Sequence, residues 1–147
     1  MKKIAVLFIM LVIMAGLTAC SNTPDLSDGN ELTIKMELDQ GYDDTEPFVN
    51  EKLFSVSDDM ETFIAEGTLR LDGKSVILEV KNNKTKEVLW SSTWDGEVQS
   101  DTFSISLNNV KKDDEYVVCL TGRKINYAAL EITFDGDFVQ ERERPLQ

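Results

Sequence analysis

The chain has 147 residues, 29% of them charged, with 27 acidic against 15 basic side chains, no histidine and two cysteines. A net charge of −12 repels phosphate backbones and anionic headgroups, which excludes nucleic acid as a partner and membrane attachment through a basic patch. Without histidine there can be no Ser-His-Asp or Cys-His catalytic group and no His-based metal centre, so carboxylates, lysine, tyrosine and serine are the remaining chemistry.

The first element is a targeting segment. Lys2 and Lys3 precede an apolar run from Ile4 to Ala15 that is too short to cross a bilayer, and small residues follow, which is the layout of a secretory signal peptide. Leu17-Thr18-Ala19-Cys20 resembles the lipobox of bacterial lipoproteins. The resemblance implies cleavage before Cys20, a diacylglyceryl group on its sulfur, palmitate-type acylation, and a protein held on the outside of the cell membrane or in the outer envelope. Each buried methylene contributes about 0.8 kcal/mol, so a diacylated cysteine holds stably where one chain would not. Removal of residues 1–19 takes away two basic and no acidic residues and leaves a mature chain more acidic than the whole.

Residues 20–30 hold the lipidated cysteine and a polar tether containing Pro24 and Gly29. A single β-domain is expected over 31–141, with a tail at 142–147. Apolar residues alternate in Leu32, Ile34, Met36 and Leu38, in Val76, Leu78 and Val80, in Phe103, Ile105 and Leu107, and in Ala128, Leu130, Ile132 and Phe134. No long segment sustains a helical period. Strands are expected near 31–39, 52–56, 62–71, 74–81, 86–94, 102–109, 115–122 and 127–134, with a short ninth at 137–141. Asp43 to Pro47 reads as an exposed loop, and the acidic residues around Asp58, Asp59 and Glu61 as a turn.

Asp72-Gly73 suits a two-residue type I′ hairpin, pairing Leu71 with Lys74, Leu69 with Val76, Gly67 with Leu78 and Ala65 with Val80, which gathers the apolar residues on one face. Asn82 to Thr85, Asp95-Gly96 and Asp135-Gly136 are further turn signals, the last pairing Ile132 with Val139. Eight to nine short strands over this length favour an all-β, antiparallel two-sheet β-sandwich.

The strands Leu53 to Val56, Val76 to Val80, Asn82 to Trp90, Phe103 to Val110 and Tyr116 to Gly122 resemble those of small jelly-roll or immunoglobulin-like accessory domains. Tyr116, after the acidic turn Asp113-Asp114-Glu115, is similar to the tyrosine corner of such sandwiches, whose phenol bonds back to preceding backbone. The resemblance implies a domain that binds or spaces rather than catalyses.

With Cys20 lipidated, Cys119 has no disulfide partner and is expected to be a half-buried or buried small residue. Asp58, Asp59, Asp113, Asp114, Asp135 and Asp137 are oxygen donors suited to calcium rather than zinc, but no segment has EF-hand spacing; they read as solvated turn formers, and no metal or other cofactor is expected. No Gly-rich phosphate loop is present, and no carboxylate pair stands out, so the protein is not expected to be an enzyme. Trp90 and Trp94 lie four apart on one expected strand and point to one side together with Val88 and Ser92. If that side is the inner face of the sheet, both tryptophans are expected in the core; if the strand end opens into a loop at Asp95-Gly96, Trp94 joins Tyr127 and Tyr42 as candidate stacking residues for a sugar ring, with Trp90 in the core. The two functional expectations are a noncatalytic envelope lipoprotein serving an extracytoplasmic protein partner, and a lipid-anchored carbohydrate-binding module.

Overall fold

A computed structural model describes residues 30–39 and 47–142, and among them every regular element is a β-strand paired antiparallel to its neighbours. The strands are β1 (Glu31–Asp39), β2 (Phe48–Val56), β3 (Met60–Asn82), β4 (Val88–Asp95), β5 (Val98–Val110), β6 (Glu115–Asp135) and β7 (Val139–Arg142). Cys20, the tether, the tail from 143 and the loop containing Tyr42 lie outside the described residues.

The all-β expectation holds, but Asp72-Gly73 is not a hairpin. The chain runs straight through it: Asp72 pairs with Tyr127 and Gly73 with Ile125, and the register shifts between them. A type I′ turn needs positive φ at both central residues, whereas only Gly73 has it, at 152°. The buried positions are odd-numbered from Phe63 to Leu71 and even-numbered from Val76 to Val80, so the chain must change phase here. A hairpin or a bulged bend can each do that. The bend wins because β6 keeps its inward residues even-numbered on both sides of it, from Tyr116 to Gly122 and from Ala128 to Phe134, and the one-residue register shift between Asp72 and Gly73 lets it stay paired with β3 through the change of phase. Expected runs 62–71 and 74–81 therefore fuse into β3, and 115–122 and 127–134 into β6, which turns nine runs into seven strands.

This bent ribbon passes through both layers of the sandwich. The first half of β3 and the second half of β6 lie between β5 and β1, while their other halves lie between β4 and β2, with β7 beyond β2. The inner faces share one apolar core. At its centre Phe54 stacks on Tyr116 at 5.4 Å between ring centroids and meets Phe63 and Phe134 from the opposite layer. Such a ring cluster joins the layers by burial plus about 0.5–1.5 kcal/mol per aromatic pair.

The other turns form where expected. Asn82 Oδ1 accepts from the Lys84 and Thr85 amides at 2.9 and 3.0 Å, closing the turn into β4. Gly96, at φ 79°, turns β4 into β5. Asp135 accepts from the Phe138 amide at 3.2 Å before β7, yet Val139 pairs with Val56 of β2 and not with Ile132. The Lys111 amide donates to Tyr116 Oη at 2.8 Å, giving the expected bond between phenol and preceding backbone.

Candidate functional site: the β4–β5 flank

Among the described residues β4 and β5 each pair with β3 alone, so there both present an outer backbone edge to the same flank of the sandwich. Their sequences explain what lies between those edges. Trp90 sits opposite Val80 and Trp94 opposite Val76, both inward-facing core positions, so the two indoles point between the layers from the rim. Phe103 comes from the facing layer opposite Gly67. Its ring stacks on Trp90 at 5.8 Å and 22° and meets Trp94 at 5.0 Å and 57°. The three rings are half-buried and pack against the core.

Gly67 makes this arrangement possible. A Cβ added there would fall 2.3 Å from Phe103 Cζ, so the ring lies flat across β3 only because no side chain stands beneath it. At one end of the strip, Trp94 Nε1 donates to Asp101 Oδ2 at 2.6 Å, which satisfies the indole and fixes its plane. At the other end the flank opens into a polar cleft of about 380 Å³ bordered by Asn82, Glu87, Leu89, Asn108, Asn109 and Asp114. Asn82 is held there by its turn bonds and by donation to Asp114 Oδ2 at 3.1 Å.

Trp90 and Trp94 do share a side, but they flank Phe103 and form no coplanar platform. Val88 does not share that side. A register shift between Val80 and Lys81 puts Lys81 opposite Val88 and leaves Leu89 as the extra residue, so Val88 turns outward and is 46% exposed. Tyr127 lies elsewhere, between Asp39 of β1 and Asp72 of β3, where its hydroxyl donates to Glu37 Oε1 at 3.2 Å. β3 separates it from β4, so Trp94 and Tyr127 belong to different surfaces. Phe103 and Gly67 were read in the sequence only as strand positions, and Asp101 not at all, so none of the three was singled out as a site residue. One signal could have found them: residues 88–94 and 102–110 carry no charge and no proline in a chain that is 29% charged.

The acidic turns are accounted for by local bonds. Asp59 accepts from the Lys112 amide at 3.0 Å and pairs with Lys111 at 3.5 Å, and Asp135 accepts from the Asp137 amide at 3.2 Å. Among the described residues no three His, Cys, Asp or Glu side chains converge to hold a metal ion. Cys119 is free and buried with Leu53 and Val117 on the outer face of the β2–β6–β3–β4 layer, and burial pushes its thiol pKa up.

Strand order and core define an antiparallel β-sandwich with one aromatic-lined flank, along which residues 88–94 and 102–110 carry no charge. Residues 19–146 match the family described as Domain of unknown function (DUF4624), and the chain belongs to that family. No curated protein matches it. Among solved structures, it is similar to a chain of the Cowpea mosaic virus top component, a naturally occurring empty particle, at 9% identity and a TM-score of 0.37 over 80% of this chain and 91% of that one. It is also similar to a chain of Bacillus endospore appendages, described as disulfide-linked pili, at 12% identity and a TM-score of 0.31 over 73% and 91% of the two chains.

Proposed function

We propose that the protein is a lipid-anchored, noncatalytic binding module of the cell envelope, held through Cys20 and presenting the β4–β5 flank to an extracytoplasmic protein partner. The observation that carries the reading is the flank itself. Exposed sheet edges are ordinarily blocked by lysine, proline or inward charge, and residues 88–94 and 102–110 have none of these. The far edge contrasts with it, since β1 carries Glu31, Lys35, Glu37 and Asp39, and β7 carries Glu141 and Arg142. Half-buried indoles beside an open backbone edge suit a partner that adds hydrogen bonds and covers apolar rings. The lipobox supports the placement, because a strongly acidic domain has no affinity of its own for an anionic surface.

Anchor and flank are tested separately. Cys20→Ala is expected to abolish labelling by a fatty-acid probe in cells, and unchanged labelling would refute the anchor. A photo-crosslinker placed at exposed Ser104 is expected to capture a polypeptide in the envelope, and a flank that captures none would refute the module.

The second reading, a carbohydrate-binding module, is favoured by Trp94, half-exposed on the flank, and by the polar cleft beyond Leu89. It requires neutral glycan binding that Trp94→Ala removes on an array.

A further inference from the structure

We infer that the β4–β5 flank pairs with a second copy of the same chain, β5 against β5, giving a two-fold dimer on the membrane surface. The inference rests on the binding-module reading and names its partner.

Charge selects the occupant. At −12 two copies repel each other, and the ion pairs made by Lys35, Lys52, Lys81, Lys111 and Arg142 use no residue of β4 or β5. A basic partner would be drawn to the acidic surfaces and would gain nothing from the uncharged stretches 88–94 and 102–110. A second copy is instead excluded from those surfaces and tolerated here.

The strand is self-complementary. Take an antiparallel pair centred on Ile105: Ser104 of one copy lies opposite Ser106 of the other, and Phe103 opposite Leu107. Asp101, the one charge in β5, then lies opposite Asn109. The two Asp101 side chains stand eight positions apart along the pair, about 27 Å at roughly 3.4 Å per residue, well beyond a Debye length of about 8 Å at physiological salt. Inward residues of one copy continue the inward face of the other, so the aromatic rim of each sandwich is covered by its mate. An isologous contact of this kind closes on itself and leaves no free β5 edge to propagate a fibre. Anchoring both copies to one surface raises their effective concentration without any new contact.

The test uses the full-length chain in detergent micelles, followed by sedimentation equilibrium. A dimer is expected that strengthens as salt rises, because screening removes the repulsion between acidic domains, with a blue shift of indole emission on association. Ser104→Lys combined with Ser106→Lys places four cations along the pair at exposed positions and should abolish the dimer while leaving the circular dichroism spectrum unchanged. Ser104→Glu with Ser106→Glu should do the same, and mixing the two variants should restore a mixed dimer. That rescue cannot arise from misfolding.

A wild-type chain that stays monomeric at every salt concentration overturns self-pairing, as does a dimer that both double variants retain. If the monomer still captures another envelope protein through Ser104, self-pairing alone has failed. If it captures none, the binding-module reading has failed with it. A monomer whose indoles are shielded by a neutral oligosaccharide assigns the flank to a glycan and overturns the dimer.

Discussion

Individual residues carry the clearest consequences. Gly67 should not tolerate alanine: the new Cβ would meet the Phe103 ring, and displacing that ring should cost about 1–3 kcal/mol by urea unfolding, with red-shifted emission from Trp90 and Trp94. Cys119 is expected to be inert. Burial raises its thiol pKa, so in a Cys20→Ala chain, where it is the remaining cysteine, a thiol reagent should react slowly at neutral pH and rapidly in denaturant. Asp59 is the opposite electrostatic case. The Lys112 amide bond, then the nearby Lys111, hold its carboxyl below the ordinary aspartate value. Its folded pKa is therefore lower than its unfolded one, so the stability it adds is present above the ordinary value and lost as pH falls through the depressed one. Asp59→Asn should flatten the acid limb of a stability-against-pH curve, and an unchanged limb would remove Asp59 from it.

At the scale of elements, the decisive feature is the bend shared by β3 and β6. Gly73 has φ 152°, and a Cβ there would lie 2.5 Å from the Ile125 backbone, so Gly73→Ala should destabilise by more than about 1 kcal/mol and loosen both layers together. The alternation of β1, β5 and most of β6 was legible in the sequence because burial of one face imposes a period of two on each strand. Asp72-Gly73 was misleading for an equally physical reason. The dipeptide tolerates both a hairpin and a bulge, and pairing apolar residues across a hairpin satisfies the same local pattern that the bend satisfies across β6. Val88 shows the same limit at smaller scale, since the bulge at Leu89 that turns it outward is set by pairing with Lys81 and has no mark in the local sequence.

For the whole molecule, the two layers meet in a core whose centre is Phe54, fully buried against rings from both sides. Phe54→Ala should cost about 3–5 kcal/mol in a single cooperative transition, because one cavity would open in both layers at once. The candidate surface is also a whole-molecule property. Trp90 and Trp94 were visible as a pair, yet their environment depends on Phe103 arriving from the other layer, and Tyr127 shares with them only its residue class. Electrostatics has the same dependence on scale: an acidic composition describes every surface on average, while the uncharged stretches 88–94 and 102–110 come to share one flank only when the fold pairs both strands with β3.

The sequence alone determined the strand character of the chain, the inward residues of most strands, and the turns at Asn82, Gly96 and Asp135. All of these are short-range properties, fixed by side-chain period, backbone preference or a local motif. The tertiary structure alone decided that Asp72-Gly73 is crossed rather than turned, that β3 and β6 serve both layers, and that β4 and β5 share an open edge. Those outcomes depend on which distant strand supplies the hydrogen-bond partners, and a strand's own residues encode its faces more strongly than its neighbours.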